Sequence, residues 1–175
     1  MTTSRTARTP SSPHGTQAWL AVVRAYNLCD AVMTARMAEL GVRLAEHEVL
    51  ANLATAAGIT QQQLAARCFV AKSGISMLLT QMESRGWVRR EADAADARIR
   101  RLQLTDDGQA LARKTLAAQA EVVRAMVADT SDAELDQVRD SMQRVSQRLE
   151  ALREADALSR ASAPRSRAGR PARRG

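Results

Sequence analysis

SRGWVRREADAADARIRRLQLTDDG, residues 84–108, changes period part-way along: helix-like spacing runs into Ser84, and strand-like spacing follows Gly86. GWVRR leads to a polar run, EADAADAR, and then to IRRLQLT, where Ile99, Leu102 and Leu104 are joined by basic residues before Thr105. Two short strands around a charged turn are predicted. Thr105 is placed to cap a following helix, with Asp106 and Asp107 in a first turn where the helix dipole favours acids.

Upstream, Ile75, Leu78, Leu79 and Met82 follow i, i+3, i+4, i+7, which predicts a helix over about 71–85 with one apolar face and a stop at Gly86. Before it, Thr60 is a good cap for the short segment QQQLAARC, because its hydroxyl can accept from an otherwise unpaired amide. AEHEVLANLATAA predicts an earlier helix that ends near Gly58 and turns Val49, Leu50 and Leu53 to a core. The order is short helix, turn, helix, hairpin. Gln61 to Arg67 would position, and residues 71–85 would read.

Long helices flank this module. From Thr16 to about Leu40, Trp19, Val22, Val23, Tyr26, Cys29, Met33 and Met37 recur at mostly three- and four-residue intervals, and Gly41 ends the run. A helix from Asp106 reaches about Ala128. Ser131 can cap a last one, in which Leu135, Val138, Met142, Val145 and Leu149 form an a/d-like seam. Apolar stripes at both ends of the chain, around a small middle module, suit a helical dimerisation platform.

Composition narrows the class. The 175 residues suit one domain with loose ends, and 45% hydrophobic content with only 2% aromatic favours helix over sheet. The formal charge of +7 is uneven. Six arginines lie from Arg160 onward and two, Arg5 and Arg8, in the leader; without them the middle carries about −1. Residues 1–15 and 156–175 read as a flexible leader and a flexible arginine-rich tail around a domain at 16–155. With neither a long apolar leader nor a membrane-length run, cytoplasmic residence is expected. Cys29 and Cys68 suggest neither a disulfide framework nor a metal cluster. His14 and His47 are isolated, and no metal site, acid–base constellation or phosphate-cradling loop emerges. An enzyme is not expected, and no cofactor is implied.

The chemistry sits on the reading helix and the hairpin. Opposite the apolar face, Lys72, Ser73 and Ser76 are small or flexible donors and Gly74 adds no bulk, so this surface can approach base edges closely. On the helix alone, an ordinary solvated face explains them equally well. The hairpin shifts the balance, because six arginines, at 85, 89, 90, 98, 100 and 101, oppose Glu91, Asp93 and Asp96 where a basic wing could reach a DNA backbone or minor groove.

These motifs resemble the MarR family of winged helix-turn-helix transcriptional regulators. Gly86, Trp87, Val88 and Arg89 match the family's run into the wing. Asp96 and Arg98 match its asp-x-arg pair, and Leu104, Thr105 and Gly108 match its closing leu-thr and gly. Ala97 stands where the family often has a further arginine, and the wing tip lacks the Pro or Gly of a tight turn.

The resemblance implies a mainly α fold with a small β-hairpin wing: a winged helix-turn-helix at about 44–108, with dimerisation helices at about 16–40 and 106–155. It implies a homodimeric repressor on a near-palindromic operator, with reading helices in major grooves, Arg98 in the minor groove and Asp96 orienting it or its neighbours. DNA contacts are expected from Gln61, Lys72, Ser73, Gly74, Ser76, Arg89, Arg90, Asp96, Arg98 and Arg100. Release by a small aromatic or phenolic anion is implied too, with Trp19, Tyr26, Met33, Arg36 and His47 as candidate contacts, though each also reads as packing or surface charge. Cys29 offers an oxidant-sensing alternative, despite the acidic neighbour Asp30 that disfavours a thiolate. A winged helix that docks protein in place of DNA is the remaining rival.

Overall fold

The computed structural model describes residues 13–68, 72–93, 95–96 and 98–162, except the side chains at 72, 73, 161 and 162. In chain order the elements are α1 (Pro13–Glu39), α2 (Leu44–Thr55), β1 (Ile59–Thr60), α3 (Gln61–Arg67), α4 (Lys72–Ser84), β2 (Val88–Ala92), β3 (Arg100–Leu104), α5 (Asp106–Met126) and α6 (Asp132–Ser162). The chain falls into two units, one ending at Met126 and the other beginning at Val127.

In the first unit the predicted punctuation works residue by residue. Gly41 takes φ 68° and closes α1 with the Val42 amide bonded back to Met37. The Thr60 hydroxyl accepts from the Gln63 amide while the Gln63 side chain accepts from the Thr60 amide, so α3 opens on a reciprocal cap. Gly86, at φ 71°, ends α4, and the next amide, Trp87, donates to Met82 O. These left-handed residues let each helix stop within one turn.

Three strands form an antiparallel sheet in the order β1-β3-β2. Val88 pairs with Leu104 and Arg90 with Leu102, while Ile59 pairs with Leu102 from the other side. The third strand, β1, is a difference from the expected two-stranded wing. Two residues are too few to show a period of two, and the pairing that creates β1 exists only once β3 lies beside it.

The core lies between helices and sheet: Met37 from α1, Val49, Leu50 and Leu53 from α2, Leu64, the α4 face Ile75, Leu79 and Met82, and Leu102 from β3 are almost fully buried. α5 docks through Ala112 and Thr115, and its first turn is held tightly to the sheet. The Thr105 hydroxyl donates to Gly86 O at 2.5 Å and accepts from the Gly108 amide at 3.0 Å. A Cβ at Gly108 would stand 1.9 Å from Trp87 O, so only glycine permits this approach.

Both outer helices are longer than expected. α1 begins at Pro13, inside the segment read as leader, since proline's fixed φ and missing donor suit the first helical turn. α6 continues to Ser162, past the expected 155, because ALREADALSR is rich in helix formers and contains no glycine or proline. Its Ser131 cap is paired reciprocally with Glu134, and the seam from Val138 to Leu149 runs along it. The rest of the expected leader and tail lies outside the described residues. Among the described residues, no helix is long and apolar enough to cross a membrane.

Candidate nucleic-acid interface

α4 is seated by its apolar face: Ile75, Leu79 and Met82 are fully buried and Leu78 is nearly so. That leaves Ser76, Met77 and Thr80 facing water. Lys72 and Ser73 open the helix, but their side chains lie outside the described residues. Gly74 is half-buried, and Gln61 is half-buried at the start of α3.

A buried carboxylate fixes the far end of α4. Glu46, in the first turn of α2, accepts from the Arg43 amide and the Arg43 guanidinium, both at 2.8 Å, and from Arg85 at 3.3 Å. Arg43 also reaches Gln81 of α4 at 2.6 Å, while Arg85 donates to Gly41 O and stacks 3.6 Å above the Trp87 ring. Burial pushes the Glu46 pKa up, but the hydrogen bonds and charge of Arg43, with Arg85, outweigh it and hold the carboxyl below its usual value. This junction links the α1–α2 turn, the end of α4 and the start of the wing. It was missed in the sequence because Glu46, between Ala45 and His47, looks like a solvated helical acid; a capping-box spacing from Arg43 was the available signal.

The arginine cluster of the wing divides in two. Arg89 pairs with Glu91 at 2.7 Å and bonds Gln103; Arg90 pairs with Glu83 at 2.6 Å; Arg101 pairs with Asp93 and donates to Gly58 O at 2.8 Å. With Arg85 on Glu46, four of the six arginines have acidic partners within the chain. Arg98 and Arg100 are exposed and have no such partner among the described residues. The cluster that looks uniformly basic in sequence is a knitted base with two unpaired cations at its tip. Arg89 and Arg90, expected alongside them as DNA contacts, are therefore already engaged.

Aspartates build the turn that lacks Pro and Gly. Asp93 Oδ1 accepts from the amides of Ala95 and Asp96, and Asp96 Oδ1 accepts from the Arg98 amide at 2.9 Å. Side-chain carboxylates thereby replace turn chemistry of the backbone. The Arg101 guanidinium, followed by those two amides, holds Asp93 below the ordinary carboxylate pKa. Asp96 orients Arg98 through its backbone, and the side-chain ion pair made by the turn's aspartates is Arg101–Asp93.

The expected effector contacts do not assemble. Met33 is core, and Trp19 and Tyr26 stand exposed on α1. His47 is buried between α2 and α5, with Nε2 3.2 Å from Gln119 Oε1 and Nδ1 without a partner; burial lowers its pKa. Of the set, Arg36 lines a groove of about 490 Å³ between α1 and α5, together with Leu28, Cys29, Val32, Glu121, Val122 and Met126 among others, and the other four do not line it. Helical spacing put four of the five candidates on α1 but could not say which side faced the groove. Cys29 is half-buried there, whereas burial pushes the Cys68 thiol up to about 11, keeping it protonated.

Residues 40–99 match the MarR family. An uncharacterised HTH-type transcriptional regulator of Bacillus cereus is 28% identical over 102 residues, covering 58% of this chain and 67% of that protein. The transcriptional regulator HosA of Escherichia coli is 40% identical over 64 residues, 37% of this chain and 47% of HosA. The fold is similar to that of the regulator SlyA, with TM-score 0.65, 18% identity and coverage of 73% and 93% of the two chains. It is equally similar to a mutant Escherichia coli MarR complexed with operator DNA, with TM-score 0.64, 20% identity and coverage of 71% and 90%.

Proposed function

We propose that the chain is a winged helix-turn-helix transcriptional regulator of the MarR family, whose model matches residues 40–99, and that it acts as a homodimeric repressor of near-palindromic operator DNA. α4 enters the major groove with Lys72, Ser73, Gly74 and Ser76 leading, and Gln61 at the start of α3 steadies it on the backbone. The wing tip places Arg98 in the neighbouring minor groove, with Arg100 on phosphate and Asp96 setting the turn. Dimerisation uses the apolar stripes of α1 and of the C-terminal helix.

The observation that carries this reading is the division of the wing arginines. Cations needed for folding are paired, and the two at the tip are left for an external anion. The test is duplex selection from a random pool followed by titration at several salt concentrations. Arg98→Ala should lower affinity about tenfold and reduce the slope of log affinity against log salt by about 1. An unchanged slope would remove the wing from the interface. A protein-docking winged helix should show neither salt-sensitive binding nor preference over random duplex.

The releasing ligand is a small aromatic or phenolic anion, and the α1–α5 groove supports that class. Its size lies within the usual range for small-molecule sites, its walls are mostly apolar with Arg36 and Glu121 as the charged residues on the lining, and Arg36, in an exposed 3.3 Å pair with Glu39, is the cation. Substituted benzoates and phenols should release bound operator, and a panel in which none does so would eliminate the class. Cys29 on the same groove makes oxidant sensing the second reading; unaltered operator affinity after mild peroxide would discard it.

A further inference from the structure

The outer face of α4 poses a problem for the reading just given. Ser76, Met77, Thr80 and Ser84 form one exposed stripe, and between Lys72 and Glu83 the helix carries no charge, in a chain that is 26% charged. Thr80 donates its hydroxyl hydrogen to Ser76 O at 3.0 Å, Ser84 donates to Gln81 O at 2.8 Å, and the Gln81 side chain is held by Arg43 at 2.6 Å. The hydroxyls of Thr80 and Ser84 and the side chain of Gln81 are thus engaged inside the protein.

What the stripe does present is an exposed thioether. Met77 is 66% exposed, and among the described residues of the winged module only it and Ile99, at the wing tip, are large exposed hydrophobics. We propose that Met77 is a specificity-determining residue that reads the 5-methyl group of a thymine in the major groove. The proposal rests on the DNA-binding reading and deepens it.

The chemistry of the groove selects the target. Guanine, adenine and cytosine offer donors and acceptors along the major-groove edge, whereas thymine alone adds an apolar methyl group. An unbranched, polarizable side chain with three rotatable bonds can seat on that methyl without exact placement. An uncharged helix face lowers the desolvation cost of close approach, and the small neighbours Ser76 and Thr80 leave the long side chain proud of the surface. The sequence preference of α4 then comes from apolar contact where no arginine provides a two-pronged hydrogen bond.

Deoxyuridine differs from thymidine here by the methyl group alone, so it isolates the contact. In the duplex selected from a random pool, each thymine is replaced in turn by deoxyuridine, and affinities are measured for the unaltered protein, Met77→Ala and Met77→Leu. At one thymine per half-site the unaltered protein should lose about fourfold, the value of one buried methyl. Met77→Ala should bind the thymine duplex more weakly yet lose nothing further at that position, and Met77→Leu should keep the discrimination. Equal binding of every deoxyuridine duplex by the unaltered protein, or the same loss in Met77→Ala, overturns the proposal while leaving DNA binding intact. Failure to enrich any duplex over random overturns both. Thermal melting of the variants checks that the exposed substitutions leave the fold unchanged.

Discussion

In the winged module and in α1, apolar residues recur at the same three- and four-residue spacing, but their fates differ. On α4, Ile75, Leu79 and Met82 are fully buried, whereas on α1 only Met37 is, with Met33 nearly so, and Trp19 and Tyr26 are 62% and 68% exposed. The module closes its own core because helices and sheet arrive from several directions within about sixty residues of chain. A single helix 27 residues long extends beyond what that core can cover. Exposed apolar area of this kind marks a surface made for association. One pattern therefore has two meanings: inside the module it builds the fold, and along α1 it supplies the interface proposed for the dimer.

The sharpest way to break the module alone is Gly108→Ala. The added Cβ would meet Trp87 O, a backbone atom that cannot swing aside, so α5 must move from the sheet. A loss of about 3 kcal/mol is expected in urea denaturation. A variant as stable as the unaltered protein would mean that the α5 start is looser than the structure shows.

The complementary break is Val22→Arg on α1. Val22 is exposed on the apolar stripe proposed to pair and does not line the α1–α5 groove, so the substitution should spare the module's own melting while weakening self-association about tenfold or more. Sedimentation velocity across a concentration series reads the difference. Unchanged association would place the interface elsewhere.

Within the module, paired and unpaired arginines give a finer contrast with the Arg98→Ala loss already predicted. Arg90→Ala removes the half-buried pair with Glu83 and should cost about 1 kcal/mol of stability or less, with little change in the salt slope of operator binding. A drop in slope matching that of Arg98→Ala would show that Arg90 leaves Glu83 to engage phosphate.

The smallest effect concerns pH. Burial lowers the folded-state pKa of His47 below its ordinary value of 6.5, so between the two the unfolded chain binds more protons than the folded one. Stability should therefore fall as pH drops from about 6.5 through the lowered value, and His47→Gln should flatten this step. Glu46, lowered from 4.5, acts in a separate and more acid window: its stabilisation holds above that value and is lost as pH falls through the folded-state pKa. A single transition below pH 4.5 with nothing above it would deny His47 a part.

Residues that act on their own neighbours were readable in the sequence. Gly41 and Gly86 need a left-handed backbone, Thr60 and Thr105 cap the helices that follow them, and Ile75, Leu78, Leu79 and Met82 share one helix face whatever the rest of the chain does. The wing was readable for the same reason. Asp93 and Asp96 were visible as acids, but their use as turn builders depends on amides brought back by the hairpin. The effector candidates fared worst, because a stripe on one helix carries no information about which side a second helix will approach. Met33 and His47 were drawn into the core, and Arg36 with Cys29 faced the groove.

By itself, then, the sequence determined the order of helices and hairpin, their caps and stops, the apolar face that seats α4 and the family it resembles. All of these are set by interactions within a few residues, where spacing is geometry. Tertiary structure alone decided the two-residue strand that completes the sheet, the close passage at Gly108, the buried Glu46 junction and the choice of which arginines are paired. Each of those needs partners from distant parts of the chain, and charge in particular has no fixed meaning until its neighbours are in place. The six arginines of the wing are chemically alike in sequence; folding alone separates four that hold the module together from two that remain open to a phosphate.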